Sequence, residues 1–330
     1  MNTVQAFLAA HGERLGVERL GLEGMPSCLF VTPRFRASAS VVVLVSPPKG
    51  GDPVLVAKIP RLADGDAGMD REAASLRAAQ ERRPGGYTSI PTVVAYERFG
   101  DRPVLIETAL AGRALSPAVV RRRPQAMVDL VERWLVERVR DDAPVGPDDV
   151  HRLVTEPLHR FALALPGEAD LVERSLALVE PLAGAALPSV VEHGDLSHPN
   201  LVLGPIGDLG VVDWEMAEAR GLPLHDLLFF LTFVAFARAG ARTLGEQMAA
   251  FDDDFAAGGD ARRAVEDHAA RLGIDGALIG PLFVACWARY TAALLGRVRR
   301  EGPVGEGTAA WLASNRWYAL WQRAVARGGW

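Results

Sequence analysis

The sequence predicts an α+β chain: a small, mostly antiparallel β half carrying one helix, joined to a larger and mainly helical half. Three observations carry that expectation. Two β-branched runs, Val41–Val45 and Val54–Ala57, flank a Pro/Gly-rich turn, helical periodicity takes over after Ala111-Gly112, and strand signals return only briefly beyond it. With 330 residues, 49% of them apolar and 23% charged, the chain suits a folded protein of about two domains.

The elements follow in order. Val41–Val45 and Val54–Ala57 are short runs of strand formers, and the turn Pro47-Pro48-Lys49-Gly50-Gly51-Asp52-Pro53 makes them antiparallel neighbours. Asp70–Arg82 is rich in helix formers, has Asp70 as a candidate N-cap, and is stopped by Pro84-Gly85-Gly86. Strands are expected near Thr92–Glu97 and Pro103–Glu107. Beyond Gly112, Ala126–Val139 places Met127, Leu130, Val131, Trp134 and Leu135 on one face, and Leu171–Leu182 and Leu224–Ala237 behave alike. Brief strands are expected at Val190-Val191, Leu201–Leu203 and Gly210–Val212. In the tail, Thr308–Ala326 carries Trp311, Tyr318 and Trp321 at helical intervals, a stripe that serves a core.

Composition excludes several function classes. With 41 Asp and Glu against 36 Lys and Arg, and no basic run longer than Arg121–Arg123, the chain has no field for holding a nucleic acid. Cys28 and Cys286 lie far apart in apolar surroundings and read as buried free thiols. The longest apolar run, Leu227–Ala237, is short of the roughly 20 residues that span a bilayer, so no membrane partner is expected and the cytoplasm is the expected compartment. No Gly-x-x-x-x-Gly-Lys-Ser/Thr, His-Glu-x-x-His or paired Cys-x-x-Cys occurs. Lysine and asparagine are scarce: only Lys49 and Lys58, and only Asn2, Asn200 and Asn315. Where either appears within a motif, it is informative.

The chemistry concentrates in Val190–Leu203 and Gly210–Glu215. An apolar strand ends in the polar loop His193-Gly194-Asp195-Leu196-Ser197-His198-Pro199-Asn200, and a hairpin then returns Asp213 at the end of another apolar strand. Asn200 and Asp213 supply two oxygen ligands, few enough to leave positions for water and phosphate oxygens, as Mg2+ prefers. Asp195, not needed as a ligand, is free to accept a proton.

His193-Gly194-Asp195 with Asn200, then Val212-Asp213-Trp214-Glu215, resembles the aminoglycoside phosphotransferase and choline kinase group of small-molecule kinases. The resemblance implies a two-lobed protein-kinase-like fold, with a nucleotide-binding lobe over 1–107, a catalytic and substrate lobe over 108–330, and a hinge at about 107–112. It implies Asp195 as catalytic base and Asn200 and Asp213 as magnesium ligands against the phosphates of ATP or GTP. Asp226, in Gly221-Leu222-Pro223-Leu224-His225-Asp226, would brace the catalytic loop. Lys58 would be the strand lysine that holds the α- and β-phosphates, partnered by Glu72, fourteen residues on, in the first turn of the following helix. The backbone at Glu107, Thr108 and Ala109 would bond the purine edge. The segment Arg34–Ser40 lacks the glycines of a protein-kinase phosphate loop, and Ser38 and Ser40 would donate there instead.

The implied reaction is transfer of a γ-phosphoryl group to a hydroxyl of a small molecule. An antibiotic acceptor, aminoglycoside, nucleoside or other sugar-containing compound, would make the chain a resistance or self-protection enzyme. The alternatives are a metabolic sugar, choline-like or amino-alcohol kinase, and a non-catalytic pseudokinase. Asp252, Asp253 and Asp254, with Glu215 and Glu218, form either an acidic wall for a cationic acceptor or a solvated loop and a helix N-terminus. His193 reads as a packed histidine bonding loop backbone. His198 either fills the loop or faces the substrate. Oligomeric state leaves no mark in the sequence.

Overall fold

The computed structural model describes residues 1–31, 40–61, 66–82, 86–300 and 306–330. The chain divides into two compact units, Met1–Ala114 with Pro199–Ala217, and Leu115–His198 with Glu218–Trp330. The sequence suggests a single junction at 107–112; in the structure the segment Pro199–Ala217 also groups with the first unit. The strands in chain order are β1 (Ser27–Val31), β2 (Ser40–Ser46), β3 (Leu55–Pro60), β4 (Val93–Phe99), β5 (Arg102–Thr108), β6 (Arg113–Ala114), β7 (Val139–Val145), β8 (Leu187–Glu192), β9 (Leu201–Leu203), β10 (Leu209–Val211) and β11 (Glu218–Gly221).

The first unit is built on a five-stranded sheet of order β1-β2-β3-β5-β4, antiparallel throughout. Strand alternation sorts its side chains onto two faces. Val43, Val45, Leu55, Ala57, Val104 and Ile106 pack against Val4, Phe7 and Leu8 of α1 (Thr3–Leu15). On the other face Leu105 packs against Met69 and Ala73 of α2 (Asp66–Glu81). Lys58 lies between Ala57 and Ile59, so parity turns its side chain toward α2. A second, three-stranded sheet of order β10-β9-β6 completes the unit.

α1 is absent from the sequence-based expectation of one helix in this half. Its signal was local: Asn2 and Gln5 form a reciprocal capping box, and Gly16 closes the helix in the left-handed conformation at φ 64°. α2 begins at Asp66, four residues before the expected cap, because Met69 is buried against the sheet. Asp70 is therefore no cap, and instead accepts the Tyr96 hydroxyl at 2.7 Å. Glu72 correspondingly sits in the second turn rather than the first. Cys28, on edge strand β1, is half-buried; Cys286 is buried, and both are free.

The second unit packs helices around the antiparallel sheet β11-β8-β7. His225–Ala239 and Ile279–Arg300 are its most buried long helices, with Phe229, Phe230, Phe283 and Trp287 all inaccessible or nearly so. The segment Gly276–Gly296 is long and apolar enough to cross a membrane, but 72% of it is buried inside the protein. The tail is two helices, Glu306–Ser314 and Arg316–Ala326, because the Asn315 side chain accepts the amides of Trp317 and Tyr318 and starts a new helix. Trp321 is fully buried, donates to Ser175 Oγ at 2.8 Å and meets Phe161 and Tyr318 edge-on, so Tyr318 and Trp321 of the aromatic stripe are packing.

Candidate functional site

In the first unit, the side chains of Lys58, Glu72, Glu107 and Asp213 converge. Lys58 Nζ lies 2.5 Å from Glu72 Oε1, 3.2 Å from Asp213 Oδ1 and 3.8 Å from Glu107 Oε1. Lys58, Glu72 and Glu107 are all at most 5% exposed. Burial opposes the charge on Lys58, but Glu72, Asp213 and Glu107 outweigh it and hold the ammonium pKa well above its ordinary value. Glu72 also accepts the Trp214 amide at 2.9 Å, so the helix carboxylate ties both the strand lysine and the segment after Asp213. Burial pushes the Glu72 carboxyl up, against the pull of Lys58. Burial pushes Glu107 up to about 8, and its Oε2 has no hydrogen-bond partner.

The β9–β10 hairpin pairs Leu201 with Val211, and the next pair is closed by the Val212 amide donating to Asn200 O at 2.9 Å. That register places Asn200 and Asp213 at the same end of the hairpin. Asp213 takes φ 70°, a left-handed conformation that a non-glycine residue holds at a cost of about 1 kcal/mol. Trp214 is fully buried and donates from Nε1 to Val211 O at 3.0 Å, which anchors the turn. Asp213 keeps 44% of its side chain exposed.

The donor set fits a hard cation. Three carboxyls face one ammonium, leaving an excess of negative charge, and Asn200 and Asp213 offer hard oxygens. Among the described residues no three His, Cys, Asp or Glu side chains make a metal site of their own, so phosphate and water oxygens would have to complete the shell.

Other predicted nucleotide contacts fare differently. The amides of Thr108 and Ala109 donate to Thr92 O at 2.9 Å and Val54 O at 3.0 Å, so these two N–H groups are already engaged within the protein. Glu107 brings its side chain to the Lys58 cluster, which the backbone role expected of it did not include. Ser40 is half-buried at the start of β2, opposite Pro60. Ser38 lies outside the described residues.

In the second unit, β8 leads into the Asp195 loop, and Asp226 holds that loop from below. Asp226 Oδ2 accepts the His193 amide at 2.7 Å and Oδ1 accepts the Gly194 amide at 2.9 Å. His193 is fully buried and its Nδ1 accepts the Asp195 amide at 3.3 Å; the Ser197 amide closes the turn on Asp195 O at 2.7 Å. Gly194 takes φ 81°, which a side chain would strain. Burial and the neighbouring Glu192 push Asp226 up to about 7, against the two amide donors.

Beneath the loop lies a support that the sequence-based reading missed. Glu192 is fully buried and accepts Arg289 at 2.7 Å and the Leu222 amide at 3.0 Å. Burial raises its pKa, but the Arg289 guanidinium prevails and lowers it. Burial drives His225 down to about 4, so it is neutral, with Nε2 3.3 Å from Gly194 O. Glu192 stands in the motif itself and was readable; nothing local marks Arg289.

The expected acidic wall is differently placed. Asp252, Asp253 and Asp254 end the helix Leu244–Asp254, at its C-terminus rather than an N-terminus. Asp252 meets Arg323 and Arg327, Asp254 meets Arg238, and Asp253 is exposed. Glu215 lies in the first unit, where its charge acts on Glu72. His198 is half-buried with its ring 5.2 Å from that of Phe233.

An antiparallel sheet with a buried strand lysine clasped by a helix glutamate, and a helical unit whose short sheet feeds an Asp-braced loop, define the kinase-like fold. A family model described as "Phosphotransferase enzyme family" matches residues 33–266, and the chain belongs to that family. Solved structures are similar across nearly the whole chain. A thermostable mutant of aminoglycoside phosphotransferase APH(4)-Ia, in a ternary complex with ADP and hygromycin B, is 14% identical, with 97% of this chain and 99% of that one covered at a TM-score of 0.57. Choline kinase LicA from Streptococcus pneumoniae is 12% identical over 96% and 98% of the two chains at 0.55. A Plasmodium vivax ethanolamine kinase is 11% identical over 99% and 89% at 0.57. No curated protein matches.

Proposed function

We propose that this phosphotransferase moves the γ-phosphoryl group of ATP or GTP to a hydroxyl of a small molecule, an antibiotic or a metabolite, using Mg2+. The observation that carries the reading is the buried ammonium of Lys58, 2.5 Å from Glu72 and 3.2 Å from Asp213. A cation this costly to bury, with more negative than positive neighbours, suits a site that receives phosphate oxygens together with a metal.

Lys58 binds α- and β-phosphate oxygens, and Glu72 keeps its side chain aimed. Asn200 and Asp213 hold the metal, which when bound neutralises charge on the phosphate oxygens. Asp195 orients the acceptor hydroxyl and takes its proton late, because the transition state is loose and needs little prior deprotonation. Asp226 and His193 fix the loop backbone from which Asp195 projects. The cytoplasm, where nucleoside triphosphates and magnesium abound, is the compartment the reaction needs.

The test pairs two substitutions. Asp195→Ala should abolish transfer while nucleotide binding stays nearly intact, whereas Asp213→Ala should weaken binding only when magnesium is present. Calorimetry with and without metal, beside an assay for an 80-dalton mass gain on pooled hydroxyl compounds, reads both. An Asp195→Ala protein turning over at the wild-type rate refutes the assignment of the base.

A further inference from the structure

The second unit contains a cation that the catalytic scheme does not use. Arg316 opens the helix Arg316–Ala326 and is half-buried, yet no carboxylate meets it among the described residues. Its neighbours differ: Arg152, Arg238, Arg289 and Arg323 of the same unit each face an Asp or Glu. A guanidinium taken partly out of water without an acidic partner lacks the acceptor its geometry suits. Burial lowers its pKa, and only Tyr290 acts in the other direction.

Its surroundings form one patch. Arg316 Cζ lies 5.7 Å from the Trp317 ring, which lies 5.7 Å from Phe233, which in turn lies 5.2 Å from His198. Tyr290 meets Trp317 edge-on at 5.0 Å. Trp317 and Tyr290 form a buried floor, while Phe233, His198 and Arg316 are half-buried above it. His198 is three residues from Asp195, which limits their separation along the chain to about 10 Å.

We propose that the acceptor carries an anionic oxygen group, a carboxylate or a phosphate, on an apolar or aromatic body, and that Arg316 binds that group while Phe233 and His198 flank the body. The proposal rests on the phosphotransferase reading and narrows its acceptor. A polycationic acceptor is disfavoured by the same features, because Asp252 and Asp254 of the acidic cluster are already matched by arginines. The charge-assisted bonds from a guanidinium are worth on the order of 10- to 100-fold in affinity.

The test uses a matched set: 4-(hydroxymethyl)benzoate, its methyl ester and 4-(aminomethyl)benzyl alcohol. Equilibrium binding and ADP formation with magnesium and ATP are read for wild type, Arg316→Met and Arg316→Lys. The benzoate should bind best and the amine worst. Arg316→Met should raise the KM or Kd for the benzoate roughly 10- to 100-fold while kcat changes less than about threefold, and Arg316→Lys should recover part of the loss. Preference for the amine or ester, an unchanged constant in Arg316→Met, or no binding of any of the three overturns the inference. Arg316-dependent binding of the benzoate without ADP formation upholds the anion site and sinks phosphotransfer. Turnover of the amine alone does the reverse.

Discussion

Asp226→Asn separates what the loop brace does for activity from what it does for stability. The carboxyl ordinarily titrates at 3.8, and burial with Glu192 nearby moves it to about 7 in the fold. A group with a raised folded pKa binds more protons folded than unfolded across that interval. Wild-type stability therefore falls as pH rises from about 4 to about 7, by up to roughly 4 kcal/mol. The asparagine variant lacks this slope, so its melting temperature relative to wild type should climb over the same range. For a unit of this size the ceiling corresponds to on the order of 8–16 °C. Activity should move the other way: the amide presents a donor to one of the two buried N–H groups that Asp226 accepts at 2.7 and 2.9 Å, and the loop loosens. Thermal unfolding followed by tryptophan fluorescence at half-unit pH steps, beside kcat at pH 8, reads both effects. A pH-independent difference in melting temperature, or unchanged kcat, refutes the reasoning.

Three further outcomes are expected. Glu72→Gln removes the nearest of the three carboxyl partners of Lys58 and should weaken nucleotide binding on the order of 10- to 100-fold by calorimetry, with Lys58→Met no more severe than about the same. His268, buried and driven down to about 4 by burial and then Arg271, gives the opposite pH slope: its folded pKa is depressed, so stability present above pH 6.5 is lost as pH falls toward 4, by up to about 3 kcal/mol. His268→Gln should flatten that limb of a pH series of unfolding curves. Gly221→Ala would drive a Cβ into Glu192 Cβ, forcing β11 away from β8 and costing about 1–3 kcal/mol, visible as a lower denaturation midpoint.

The fold was legible where a local rule and a tertiary demand agreed. The β2–β3 hairpin, with its Pro/Gly turn between β-branched runs, forms as the sequence predicts, as does the hairpin that returns Asp213. It was less legible where distant packing set the boundary. α2 runs back to Asp66 since Met69 gains a buried place on the sheet, a reward that no local cap announces. α1 had a capping signature but a weak apolar pattern, and only its docking under the sheet, with Phe7 against Phe99 at 5.6 Å, makes it part of the core. Val139, expected as the last residue of the helix Ala126–Val139, instead opens β7, because β8 is there to pair with it.

The candidate site divides along the same line. Residues whose chemistry has no other use in their setting, a strand lysine or a carboxylate ending an apolar hairpin, declare themselves in one dimension. Supporting residues do not, because bracing is a relation between two places: Arg289 matters only for its 2.7 Å contact with Glu192, ninety-seven residues away. Glu107 lies between these cases. Apolar Val104 and Ile106 alternate with it along β5, and strand parity alone turns the carboxyl of Glu107 to the side of Lys58. Three carboxyls on one ammonium would be a poor way to build stability, since burying uncompensated charge costs more than pairing returns. Burial pushes Glu107 up to about 8, so its carboxyl holds a proton at neutral pH and the cluster carries less uncompensated charge than three ionised carboxylates would.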